Sequence, residues 1–295
     1  MKWNFLTRTV FLPRLLRVKS VLATVLMFFS FTFGMAAHAI QIYKGNLGPN
    51  SIDLVGEIKP GDFEEVFWAF RSMELADTPV IYVRVSSPGG DLREAIKIAE
   101  LFERTLVNTH SFNGCYSACV FLLVGGYERK FYGQIGVHRP SISNQYFGSL
   151  SKNKAEREYK KIQKIAKQWL TDRLVAQRVI DDMFLTPSYE ITIVQNPEDV
   201  FGSKSPHTDE WLSSKCGAIT EQEDLNSTAI LYGEYIKAGA KFDQDTLYFA
   251  QQQAAIAATF TPEYRKDLRA KVKATNKCEA DTRRKARDEA LAVSP

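Results

Sequence analysis

The chain has 295 residues, 45% of them hydrophobic and 24% charged, so it reads as globular, with room for one large domain or a domain plus an extension. Its formal net charge of +4 resides in the first 39 residues, where Lys2, Arg8, Arg14, Arg17 and Lys19 face no acidic residue. Without those five basic residues the balance is −1, which removes the electrostatic case for nucleic acid as the main partner.

The same leader carries the apolar run "VLATVLMFFSFTFGMA" followed by "AHA" at Ala37 to Ala39. A basic start, an apolar stretch and a small-x-small site predict a secretory signal peptide over 1–39, cleaved before Ile40, with an uncleaved membrane anchor as the alternative. An exported chain, periplasmic after cleavage, meets an oxidising compartment, so Cys115, Cys119, Cys216 and Cys278 read as disulfide cysteines. Cys115 and Cys119 can join only if Cys115 lies before the helix that follows, since i, i+4 positions of a regular helix hold their Cβ atoms too far apart. Cys216 with Cys278 would tie a C-terminal helical region to the rest. Zinc is the weaker reading, because the Cys115 and Cys119 pair lacks a second pair at finger spacing, and no metal or cofactor is expected.

In chain order, "SIDLVGEI" predicts a short strand and "DFEEVFWAFRSMEL" a helix behind the cap candidate Asp62. "PVIYVRVSS" suits a buried parallel strand, and "DLREAIKIAELFERT" a crossover helix with Leu92, Ala95, Ile96, Ala99 and Phe102 on one face. A strand near "LVNTHSF", the apolar "SACVFLLVGG" and a strand in "RKFYGQIGVHRP" continue an α/β pattern. A single long helical segment is predicted from Ser149 to about Phe184, with Tyr159, Ile162, Ala166, Trp169 and Leu170 at helical spacing. From "YEITIV" to Thr220 the chain reads as mixed strand and loop, with Pro197, Gly202 and Pro206 as breakers. Beyond about Glu221 it reads as helices, the last opened by Thr261 as cap and Pro262 in the first turn. That last helix is highly charged, but its acids and bases are interspersed, as on a solvated surface helix.

The middle of the chain offers one of each part that acyl transfer needs. Ser117, in "FNGCYSACVFLLVGG", falls where a strand gives way to a helix, so its hydroxyl can be exposed while the Ala118 N–H serves as a donor. "SSPGG" closes a buried strand, and its glycines can bring bare backbone N–H groups to a ligand. His138 ends the next strand pattern, and a neutral imidazole there can accept the serine proton. Each alone has a bland reading: an N-cap, a turn, a structural histidine.

Taken in order, "GEI" (Gly56 to Ile58), "YVRVSSPGGDLREAIKIAE", "GCYSACVFLLVGG" and "GVHRP" make Ile52 to Thr220 resemble the proteolytic subunit of the Clp protease and, more broadly, the crotonase-like superfamily. The resemblance implies an α/β fold, a spiral of βα units with a long projecting helix, over 40–220, leaving 221–295 as an α-helical C-terminal extension. It also implies Ser117 as nucleophile, His138 as general base, and the N–H groups of Gly90 and Ala118 as the oxyanion hole. The orienting acid is expected at Asp209 in "DEWLS", with Asp181 and Asp182 as rivals. The function this implies is an exported serine hydrolase, a peptidase acting on peptide or unfolded protein substrates. An exported chain has no ATP supply, so no ATP-driven unfoldase is expected as partner, and homo-oligomerisation is left open. The competing readings are a non-catalytic binding module in the periplasm and, last, an acyl-CoA enzyme.

Overall fold

The structure is a computed structural model and describes residues 39–140 and 150–293; the expected signal peptide lies outside the described residues. From Ala39 onward the chain forms one compact unit. It is a mixed α/β structure built on a seven-stranded sheet of order β1-β2-β3-β4-β6-β7, with β5 beside β4.

The strands are β1 (Gln41–Lys44), β2 (Ser51–Val55), β3 (Tyr82–Ser87), β4 (Asn108–Tyr116), β5 (Arg129–Phe131), β6 (Ile135–Val137) and β7 (Thr192–Ile193). The two outer pairs, β1 with β2 and β6 with β7, are antiparallel, and the inner pairings are parallel. The inner strands lie among buried neighbours because Ile52, Leu54, Val83 and Val85 are all at 2% exposure or less, as crossover helices on the sheet faces require.

Helices α1 (Asp62–Leu75), α2 (Leu92–Thr105) and α3 (Cys119–Val124) follow β2, β3 and β4 in turn. Asp91 caps α2, its side chain accepting from the Glu94 N–H. Asp62 does not cap α1. Its carboxylate accepts the N–H groups of Lys59 (2.6 Å) and Ile40 (3.3 Å), whereas the buried Glu94 of α2 reaches the Gly61 and Phe63 N–H groups at the start of α1. A carboxylate from a neighbouring helix thus satisfies the donors that Asp62 was expected to satisfy.

The single long helix expected up to Phe184 is two helices, α4 (Lys152–Thr171) and α5 (Gln177–Leu185). The chain breaks at Leu174, which has φ 57. There Val175 N–H bonds Leu170 O, and Ala176 N–H leaves the helix for Val200 O. Pro197 and Pro206, read as breakers, open helices α6 (Pro197–Phe201) and α7 (Pro206–Cys216). The missing proline N–H is no loss in a first turn.

Helices α8 (Glu221–Lys237), α9 (Gln244–Ala258) and α10 (Pro262–Ala292) complete the chain. α8 starts with a capping box between Thr220 and Glu223. They share a small cluster of Ala229, Ile230, Ala257 and Leu268, while Leu291 near the end of α10 belongs to the main core. Two disulfides form, Cys115–Cys119 and Cys216–Cys278; the second joins α7 to α10. Paired cysteines of this kind fit an oxidising, non-cytoplasmic environment. Among the described residues no helix is long and apolar enough to cross a membrane.

Candidate active site at the ends of β4 and β6

β4 changes partner along its length. Its first half pairs with β5 over Thr109 to Ser111, and its end pairs with β6 over Cys115 and Tyr116. Against β3, two residues (Val85 to Ser87) span what takes four in β4 (Ser111 to Cys115), so the strand bulges at Phe112 to Gly114, with Asn113 at φ 56 and Gly114 at φ 129. The bulge turns the end of β4 onto β6, which brings Ser117 beside the segment that carries His138.

Ser117 follows directly. Its N–H donates to Gly136 O at 2.9 Å, two residues before His138, so both candidates stand at the carboxyl ends of adjacent parallel strands, where open α/β sheets place ligands. Ser117 has φ 56, a left-handed backbone that residues with a Cβ adopt only under constraint. Both side chains are half-buried. Nδ1 of His138 lies 3.0 Å from Arg139 O. A carbonyl can only accept, so Nδ1–H is the donor, and in the neutral imidazole this leaves Nε2 as the acceptor, the tautomer a general base needs.

The glycine loop reaches the same place. A Cβ built on Gly89 would lie 2.6 Å from Ser117 Cβ and 3.0 Å from Ala118 N. Gly90 docks on Ile58: Ile58 N–H bonds Gly89 O, and Asp91 N–H bonds Ile58 O, both at 2.8 Å. Those two bonds face Ile58, and among the described residues the N–H groups of Gly90 and Ala118 make no backbone hydrogen bond. Gly136 lies beneath Tyr116 and Ile191, whose side chains a Cβ there would strike at 2.7 and 2.4 Å. Sequence reasoning selected Gly90 and passed over Gly89 and Gly136, whose close approaches come from strands distant in sequence.

Asp209 is not brought to this pair. Ser205 N–H, just before α7, bonds Tyr127 O, and Tyr127 N–H bonds Val107 O, which fixes the start of α7 beside the beginning of β4. The nine residues of β4, less the two taken up by its bulge, separate that point from Ser117 by roughly 20–25 Å at strand rise. Asp209 there accepts the Tyr127 hydroxyl at 2.8 Å and lies 3.6 Å from Lys204 Nζ. Burial, and then the bond to Asp209, push the Tyr127 phenol above its ordinary value. Asp209, expected as the orienting acid, thus bonds Tyr127 and pairs with Lys204 in this structure, and among the described residues it makes no bond to His138. Of its rivals, Asp181 accepts Gln177 Nε2 at 2.7 Å. The exposed side chain of Asp182 makes no hydrogen bond among the described residues. The end of α5 meets the site, because Thr186 O accepts the Arg139 N–H at 3.0 Å and Asp182 O accepts the Thr186 N–H at 2.9 Å.

No family model and no curated protein matches the chain. Among solved structures it is similar to a mutant of ClpP1 from Listeria monocytogenes, at 13% identity and a TM-score of 0.41, covering 53% of this chain and 89% of that one.

Proposed function

We propose that the protein is an exported serine hydrolase, a peptidase that works through an acyl-enzyme on Ser117 without an ATP-driven unfoldase. The observation that carries this reading is the backbone of Ser117: a left-handed serine wedged between Gly89 and the strand that leads to His138, beside Gly90 and Ala118 N–H groups that make no backbone hydrogen bond among the described residues. In the reaction, His138 Nε2 takes the Ser117 proton as Oγ attacks a substrate carbonyl. The N–H groups of Gly90 and Ala118 receive the oxyanion, and the imidazolium returns its proton to the leaving amine. Water then repeats the sequence on the ester. The Arg139 carbonyl, which accepts from His138 Nδ1, holds the imidazole tautomer in this reading, and Asp182 is kept as the candidate carboxylate near it because α5 ends against Arg139. The substrates are peptides or unfolded protein segments, and the oxidised cysteines support residence outside the cytoplasm.

The test is covalent labelling of the folded protein by a fluorophosphonate, with mapping of the adduct. Labelling at Ser117 that is lost in Ser117→Ala and in His138→Ala supports the reading. A folded protein that neither labels nor cleaves peptides leaves the cleft as a binding module.

A further inference from the structure

The Cys115–Cys119 bridge has no part in the chemistry above, yet it spans the candidate nucleophile. Cys115 belongs to β4 and Cys119 opens α3, so the bond closes a ring of five residues with Ser117 at its centre. Both cysteines are fully buried, while Ser117 between them stays accessible.

The two sides of this turn are held differently. On the strand side, Cys115 N–H bonds Gln134 O and Ser117 N–H bonds Gly136 O, each at 2.9 Å. On the helix side, Ser117 O accepts the Val120 N–H at 3.1 Å, while Ala118 N–H has no backbone partner among the described residues and must stay free if it is to meet an oxyanion. A serine released from φ 56 would rotate toward the right-handed region that residues with a Cβ prefer. That rotation would swing the start of α3, and Cys119 with it, away from the end of β4. The bond fixes the Cα atoms of the two cysteines at 5.3 Å and blocks the movement.

We propose that the Cys115–Cys119 bridge is the positioning element of the nucleophile: it holds Ser117 Oγ toward His138 and keeps the Ala118 N–H aimed at the developing oxyanion. This rests on the reading of Ser117 as nucleophile. It assigns Cys115 and Cys119 a role that Cys216 and Cys278 do not share, since the second bridge joins α7 to α10 away from the turn.

A fluorophosphonate titration separates the maximal labelling rate, kinact, from the half-saturating concentration, KI. Cys115→Ala/Cys119→Ala is compared with wild type and with Cys216→Ala/Cys278→Ala. The first pair should lower kinact about 10²-fold, the cost of a small misplacement of reacting groups, with KI unchanged within about twofold. The second pair should lower Tm and leave both constants unchanged below its transition. Should the alanine pair not fold, Cys115→Val/Cys119→Ala, which restores buried volume without the bond, takes its place. Equal kinact in wild type and in a folded variant without the bridge overturns the positioning role and leaves Ser117 as nucleophile; so does a loss carried by KI. A folded wild type that does not label overturns both.

Discussion

Gly89 and Ser117 touch so closely that no side chain fits between them: a Cβ on the glycine would lie 2.6 Å from the Ser117 Cβ, and the glycine itself has φ 101. Gly89→Ala therefore meets backbone strain and a collision together. Each is worth on the order of 1–3 kcal/mol, and the collision is relieved only by moving the serine. We expect Gly89→Ala to lose fluorophosphonate labelling while remaining folded, with a lowered urea midpoint. Gly217, with φ 83 and open space around its missing Cβ, is the control. Gly217→Ala should cost only the strain and label like wild type.

The acid is decided by two substitutions. Asp182→Asn should slow labelling and amide hydrolysis, but by less than the roughly 10⁴-fold of a triad whose carboxylate bonds Nδ1, because Arg139 O accepts from His138 Nδ1. Asp209→Asn should label normally, because its partners are Tyr127 and Lys204. Asp209→Ala leaves the buried Tyr127 hydroxyl without its acceptor and should destabilise the protein by about 1–3 kcal/mol, read as a shift of the urea midpoint. A dead Asp209→Asn beside an active Asp182→Asn would overturn the choice of Asp182 and return the role to Asp209, with the start of α7 moving to Ser117 and His138.

The Cys216–Cys278 bridge closes a separation of 62 residues, and α10 is also tied to α1 by Arg287 to Glu74 (3.2 Å) and by Arg71 to the Leu291 carbonyl. Removing the bridge should cost about 2–4 kcal/mol by releasing the unfolded chain, seen as a lower urea midpoint. Peptide mapping without reduction should recover Cys216 joined to Cys278, and Cys115 joined to Cys119.

What could be read from the sequence was what local pattern controls. The runs that became β2, β3 and α2 carry their periods in consecutive residues, and the spacing of Ser117, the "PGG" turn and His138 follows the βα order. β1 escaped notice because only four residues form it, paired along one edge with mostly exposed side chains. Leu174 gave no warning, since an apolar residue at helical spacing looks like helix until Ala176 bonds Val200 O instead. Asp209, Asp181 and Asp182 are equivalent as residue types. Only the sheet says which end of β4 each one stands at, and that depends on Tyr127 bonding both Val107 and Ser205, contacts remote along the chain.

His110 gives a prediction for pH. It sits on β4 at 9% exposure, between the rings of Tyr82 and Tyr132, with Arg84 and Lys130 beside it in register on β3 and β5. Burial first, and then the charge of Lys130, push its pKa below the ordinary 6.5; Glu128 opposes and Arg84 adds to the lowering. As pH falls through about 6.5, the unfolded chain takes up a proton that the folded chain refuses, so the unfolded state binds more protons and stability is lost. The loss starts near pH 6.5 and ends at the depressed folded value; above pH 6.5 the group contributes no slope. Its steepest contribution is one proton, about 1.4 kcal/mol per pH unit. Asp62, raised chiefly by burial, titrates in the opposite sense, with the folded state taking up the proton first. The difference between wild type and His110→Gln cancels that effect. Urea midpoints measured from pH 8 to pH 5.5 should therefore decline more steeply in wild type than in His110→Gln, with the two curves parallel above pH 7. Parallel curves over the whole range would mean that His110 protonates as readily folded as unfolded, and that its burial between the two tyrosines does not persist in solution.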